Sequence, residues 1–124
     1  MKFLLIVHHD EEAFEKIEQE KRQALLAESI ELTHQLRAAG QYVHASPLHP
    51  AGTAVIVRVR EGKPLVTDGP FIETREQIAG YFLIDAQNLN AAISIASRVP
   101  GAQIGTVEVR PLIEITGLPE VEKC

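Results

Sequence analysis

The side chains best suited to chemistry concentrate in one run, Val66-Thr67-Asp68-Gly69-Pro70-Phe71-Ile72-Glu73-Thr74-Arg75-Glu76. Asp68 is the leading catalytic candidate. A carboxylate at the mouth of an open sheet face acts as a general base or accepts a hydrogen bond from substrate. Its alternative is an Asx-type turn, with the carboxylate bonded to nearby backbone amides, and Gly69 before Pro70 suits such a turn. Glu73 and Arg75 put a carboxylate beside a guanidinium. Arg grips carboxylates with two N–H groups, so this pairing suits the positioning of an anionic substrate. Glu76 reads as a solvated charge.

The second catalytic candidate is His8, at the end of the first apolar segment, as a proton-transfer or hydrogen-bonding group. Arg58 and Arg110 stand on different predicted strands with matching polar faces. They either line an anion pocket or pair with Glu108 in a surface or interface salt bridge. Adjacent His8 and His9 point to opposite faces of a strand and do not share a metal easily. His44 and His49 flank a proline loop and could converge with His8 or Asp10, but no spacing of a known zinc motif occurs. No metal is expected. There is no glycine-rich phosphate loop, no GxSxG elbow and no cysteine nucleophile. The chemistry left is acid–base work without a cofactor.

These groups need a scaffold. Phe3 to Val7 is a continuous apolar run, read as a central strand buried on both faces. A helix follows over roughly Glu18 to Ala39, with Leu25, Leu32, Leu36 and Ala39 on one stripe and Leu26 and Ile30 at its side. Gly40 stops it. Gln41 to Ala45 reads as a strand and Ser46 to Gly52 as a loop. In Thr53 to Arg60 the valines 55, 57 and 59 alternate with Ile56, Arg58 and Arg60. Glu61-Gly62 turns the chain into a return strand, Lys63 to Thr67, which Pro64 consigns to a sheet edge. Gly80 to Asp85 is another strand. Asn88 caps a second helix with Leu89, Ala92, Ile93 and Ala96 inward, and Pro100-Gly101 closes it. Ile104 to Leu112 is the last strand, and residues 116–124 are a tail after a domain of residues 1–115. The order is α+β: a ferredoxin-like βαββαβ with an extra β-hairpin, its antiparallel sheet covered on one face by two helices. The valines mark the covered side, which places Arg58, Arg60, Glu108 and Arg110 on the open side. Such a face favours closure by a second copy.

The chain has 124 residues, 45% of them hydrophobic and 5% aromatic, which suits one globular domain with an aliphatic core. A net charge of −5 argues against direct nucleic-acid binding. The one cysteine, Cys124, allows no intrachain disulfide. The short N-terminal apolar run is neither a signal peptide nor a membrane span. A reducing, cytoplasmic setting fits.

The motif Val66-Thr67-Asp68-Gly69-Pro70-Phe71, with Glu73-Thr74-Arg75-Glu76-Gln77 and Gly80-Tyr81 after it, resembles the DGPF-domain branch of the YCII-related family. The similarity runs from Met1-Lys2-Phe3-Leu4-Leu5-Ile6 to Val107-Glu108-Val109-Arg110-Pro111. It implies a dimeric α/β barrel made by two ferredoxin-like subunits. It also implies a small cytoplasmic enzyme acting on a modest organic substrate, or a non-catalytic ligand-binding or regulatory module. Some relatives of this branch are associated with extracytoplasmic-function sigma factors. YCII members have a His–Asp pair proposed as catalytic. His34, in the long helix where the resemblance implies such a His, lies about 180° from the leucine stripe by helical geometry.

Overall fold

The computed structural model describes residues 1–119. Its centre is an antiparallel sheet of β1 (Lys2–His9), β2 (Tyr42–Pro47), β5 (Gln77–Asp85) and β6 (Thr106–Pro111), in the order β2-β5-β1-β6. That order is the ferredoxin-like one expected from the sequence. The strands β3 (Val55–Arg60) and β4 (Lys63–Asp68) form a separate two-stranded ribbon.

β1 is central because it is the most continuously apolar strand. Phe3, Leu5 and Val7 are buried on the helix-covered face, while Leu4, Ile6 and His8 alternate onto the other. Among the described residues the sheet is accompanied by the helices α1 (Glu11–Glu15), α2 (Gln19–Ala38), α3 (Leu89–Arg98) and α4 (Gly101–Ile104). The core joins Phe3, Leu5, Leu36, Ile84, Ile95 and Val99 with alanines of α3. Each fully buried large side chain contributes about 1.5–3 kcal/mol.

Several boundaries differ from expectation. α1 falls where the sequence predicts no element, and the 3₁₀ turn Ala51–Thr53 straddles the end of the expected loop and the start of the expected strand, because short helices lack a full period of apolar residues. Asp10 nucleates α1 by accepting the Ala13 amide at 3.1 Å. β5 begins at Gln77, three residues before the expected Gly80, since Gln77 and Ile78 extend the pairing to His9 and His8. Pro100-Gly101 starts α4 instead of leading directly to a strand, so β6 begins at Thr106. On α3 the buried set is Ala92, Ile95 and Ala96, continued by Val99 just past its end; Leu89 and Ile93 fall at its margin and are half-exposed. Of the expected tail, residues 120–124, including Cys124, lie outside the described residues.

The largest correction concerns the hairpin. Val55, Val57 and Val59 do not face the core; they are exposed. The ribbon does not join the main sheet, so Arg58 and Arg60 do not share a sheet face with Glu108 and Arg110. Alternation correctly found a strand, but alternation cannot say which sheet it joins. The predicted turn holds: Glu61 and Gly62 take φ of 53° and 73°, the left-handed pair that a two-residue hairpin requires.

Candidate functional site

The uncovered face is assembled from all four strands of the main sheet. Opposite Ile6 of β1 lie Glu108 of β6 and Tyr81 of β5, and opposite Leu4 lie Arg110 and Leu83. Next to Leu83 on β2 stands His44. The floor is thus aliphatic in the middle and polar at both flanks.

On one flank His8 Nε2 is hydrogen-bonded to Glu108 Oε1 at 3.1 Å, and Arg110 donates to Glu108 Oε2 at 3.3 Å. His8 is the more sheltered member of the pair. The hydrogen bond from His8, aided by that from Arg110, lowers the Glu108 pKa below its ordinary value. An ionised carboxylate can only accept, so the proton of this bond sits on His8 Nε2 and the lone pair of the neutral ring stays on Nδ1. On the other flank His44 Nδ1 and the Tyr81 hydroxyl are hydrogen-bonded at 2.7 Å. From the sequence, Glu108 is expected on the open side as a salt-bridge partner, and Tyr81 stands only in the motif, with no role at the site. The signal was their i, i+2 alternation with core residues on β6 and β5.

The signature run is mostly tied into the scaffold. The Gln77 side chain accepts the Glu11 amide at 3.0 Å and donates to the Thr74 carbonyl at 2.8 Å. Glu11 in turn accepts the Ala51 amide at 2.7 Å. Glu76, read as solvated, accepts the Thr106 hydroxyl at 2.9 Å. Arg75 does not pair with Glu73; its Nε lies 3.5 Å from Asp10 Oδ2. The Ala13 amide, followed by Arg75, holds Asp10 below the usual carboxylate range. Glu73 is exposed.

Asp68 ends β4 opposite Val55 and is exposed. Among the described residues its carboxylate is not consumed by a turn, and it lies in neither the cavity below nor the His8 cluster. The turn itself is demanding for Gly69, whose amide donates to the Ala54 carbonyl at 2.8 Å. A Cβ there would meet the Ile56 side chain at 3.0 Å. Arg58 sits 5.2 Å from the Phe71 ring centroid, a cation–π contact that clips the hairpin to the signature run. Among the described residues no hydrogen bond or ion pair joins Asp68, Arg58 or Glu73 to His8 or Arg110.

Among the described residues no cluster of three His, Cys, Asp or Glu is arranged to hold a metal, and no helix is long and apolar enough to cross a membrane.

The YCII-related domain matches residues 1–116. An uncharacterised protein of Rhizobium meliloti (strain 1021) is 30% identical over 114 residues, covering 90% of this chain and 92% of that protein. With a ferredoxin-like sheet, an inserted hairpin and a family match over nearly its whole length, the chain belongs to the YCII-related family.

Proposed function

We propose that the protein acts as a homodimer whose uncovered sheet faces enclose a small polar or anionic molecule, with His8 as the acid–base group. The observation that supports this best is the His8–Glu108 hydrogen bond on a sheet face with no helix over it. Glu108 fixes the ring and its tautomer, which leaves Nδ1 as the proton-accepting atom. After His8, Arg110 helps to lower the Glu108 pKa and adds a positive charge to orient an anion. In this reading the dimer is an α/β barrel in the cytoplasm, and the chemistry is proton transfer without a cofactor. The hairpin of each subunit closes over the other, bringing Asp68, Arg58 and Glu73 to the rim of the pocket, while Arg75 positions α1 through Asp10. Use of the same pocket for regulation without turnover, including the sigma-factor association implied by the DGPF-type motif, is the competing outcome.

The test combines sedimentation equilibrium with a thermal-shift screen of small organic acids and their neutral analogues. We expect a dimer. A true ligand at about 100 Kd raises Tm by on the order of 5 °C or more. That shift is lost in His8→Gln and weakened in Asp68→Asn. Turnover of the hit separates the enzyme from the regulatory module. A monomer at micromolar concentration, or shifts that are equal in wild type and His8→Gln, would refute the proposal.

A further inference from the structure

The helix-covered side of the sheet is not filled along its whole length. Between the first half of α2 and strands β1, β5 and β2 lies a cavity of about 310 Å³. Leu32 and Leu36 of α2 seal the core, but one and two turns earlier the helix presents Ser29 and Leu25, and the sheet opposite sets the small residues Ala45, Ala79 and Gly80 among Val7, Tyr42 and Phe82. Small residues on both sides leave the space open. Leu26 and Ile30, half-exposed at 51% and 50%, form its lip.

The cavity has few polar groups, and most are already used. The Ser29 hydroxyl donates to Leu25 and the Thr33 hydroxyl to Ile30, both carbonyls of the same helix. His9 stacks on Phe14, with ring centroids 4.5 Å apart and planes 18° from parallel. Arg22 is different. Its Nε is shut off from solvent and has no hydrogen-bond acceptor among the described residues. Among the described residues no aspartate or glutamate lines the cavity. A guanidinium N–H held in an apolar wall without an acceptor is costly, and an anion is the partner that relieves the cost most fully.

The volume is at the lower end of small-molecule sites. At about 30 Å³ per water-sized unit it holds on the order of ten non-hydrogen atoms. One cation suits one negative charge better than a phosphate or diphosphate, which draws on several donors. We propose that this cavity binds a small amphipathic monocarboxylate of about that size, its apolar body lying between α2 and the sheet and its carboxylate accepting from Arg22. The cavity lies mainly on the helix-covered side, because His9 borders it while its neighbour His8 stands on the opposite side of β1; Tyr81 touches both faces.

Octanoate and octanamide test this directly, since they match in size and differ in charge. Both are titrated calorimetrically into the full chain and mapped by methyl NMR. We expect octanoate to bind about tenfold or more tightly than octanamide, as a charged hydrogen bond implies. The methyl signals of Ala45 and Ala79 should shift, while those of Leu4 and Ile6 on the uncovered face should not. Arg22→Gln should bring octanoate down to the level of octanamide. Absence of octanoate binding, equal binding of the two compounds, or shifts confined to Leu4 and Ile6 overturns the proposal. If Arg22→Gln fails to fold, the amide comparison and the methyl map on the unmutated chain decide it alone.

Discussion

His8 and His9 are neighbours on β1 and live in opposite settings. His8 meets a carboxylate on the uncovered face; His9 is tucked behind Phe14 on the helical side. Burial is the main influence on His9 and lowers its pKa below 6.5, against the opposing pull of Glu11, Asp10 and Glu76. The unfolded chain therefore takes up this proton at higher pH than the folded one. Stability contributed by neutral His9 is intact above about pH 6.5 and falls as pH drops from there toward the lowered folded value. Glu108 works in a lower window. Its folded pKa is depressed from 4.5, so its contribution is intact above that value and is lost as pH falls through the folded pKa. Urea midpoints between pH 7.5 and 5.5 should decline in wild type and decline less in His9→Phe. Glu108→Gln should leave that interval unchanged and flatten the curve only below about pH 4.5. An equal decline in wild type and His9→Phe would show that His9 is not the group responsible.

At the scale of elements, the run from Thr74 to Gln77 acts as a bracket. Gln77 joins the Thr74 carbonyl to the Glu11 amide, and Glu11 reaches on to Ala51, so one side chain couples the signature loop, α1 and the 3₁₀ turn. Truncation in Gln77→Ala leaves the Glu11 amide, in a partly buried position, without its acceptor. The expected cost is about 1–2 kcal/mol, or a few degrees of Tm for a domain of this size. Hydrogen exchange should quicken in α1 as well as in the loop; faster exchange in the loop alone would mean the two are not coupled. This bracket also explains what the sequence could and could not reveal. Periodicity located β1, α2, the Glu61-Gly62 turn and β6, because each has enough apolar residues to show a period or a sharp break. The bracket escaped because Gln77, Glu11 and Ala51 are distant in sequence and nothing in their types announces a meeting. The cavity escaped for a related reason. Leu25, Leu26 and Ile30 are ordinary core residues by type, and only the small residues facing them from β2 and β5 leave room between. His8 was legible from its place at a strand end, whereas its link to Glu108 depended on a register that pairs Ile6 with Glu108.

For the whole molecule, the hairpin is the feature most in need of a partner. A two-stranded ribbon is marginal in water without an apolar surface to pack on. One face of this ribbon packs inward through Ile56 toward Gly69 and through Arg58 onto Phe71. The other presents Val55, Val57 and Val59 with Val66 across from Val57, at 60%, 63%, 60% and 64% exposure. Four β-branched residues on one exposed face form a patch that soluble monomers rarely leave uncovered. Closure by a second subunit would bury that patch together with the uncovered sheet face, and it would unite on one pocket the candidates that, among the described residues, no hydrogen bond or ion pair joins within a single chain. Val57→Lys sets a charge in the middle of the patch. A Val buried at an interface is worth about 1.5–3 kcal/mol, and a lysine adds the cost of desolvating its ammonium. Dimer dissociation should strengthen by on the order of 100-fold, with circular dichroism of the monomer unchanged because the hairpin lies outside the main core. Arg60→Ala, on the opposite face of the same strand, should leave the dimer intact. If Val57→Lys sediments as wild type does, the valine face is not the interface, and the route by which Asp68 and Arg58 reach the His8 pocket is lost with it.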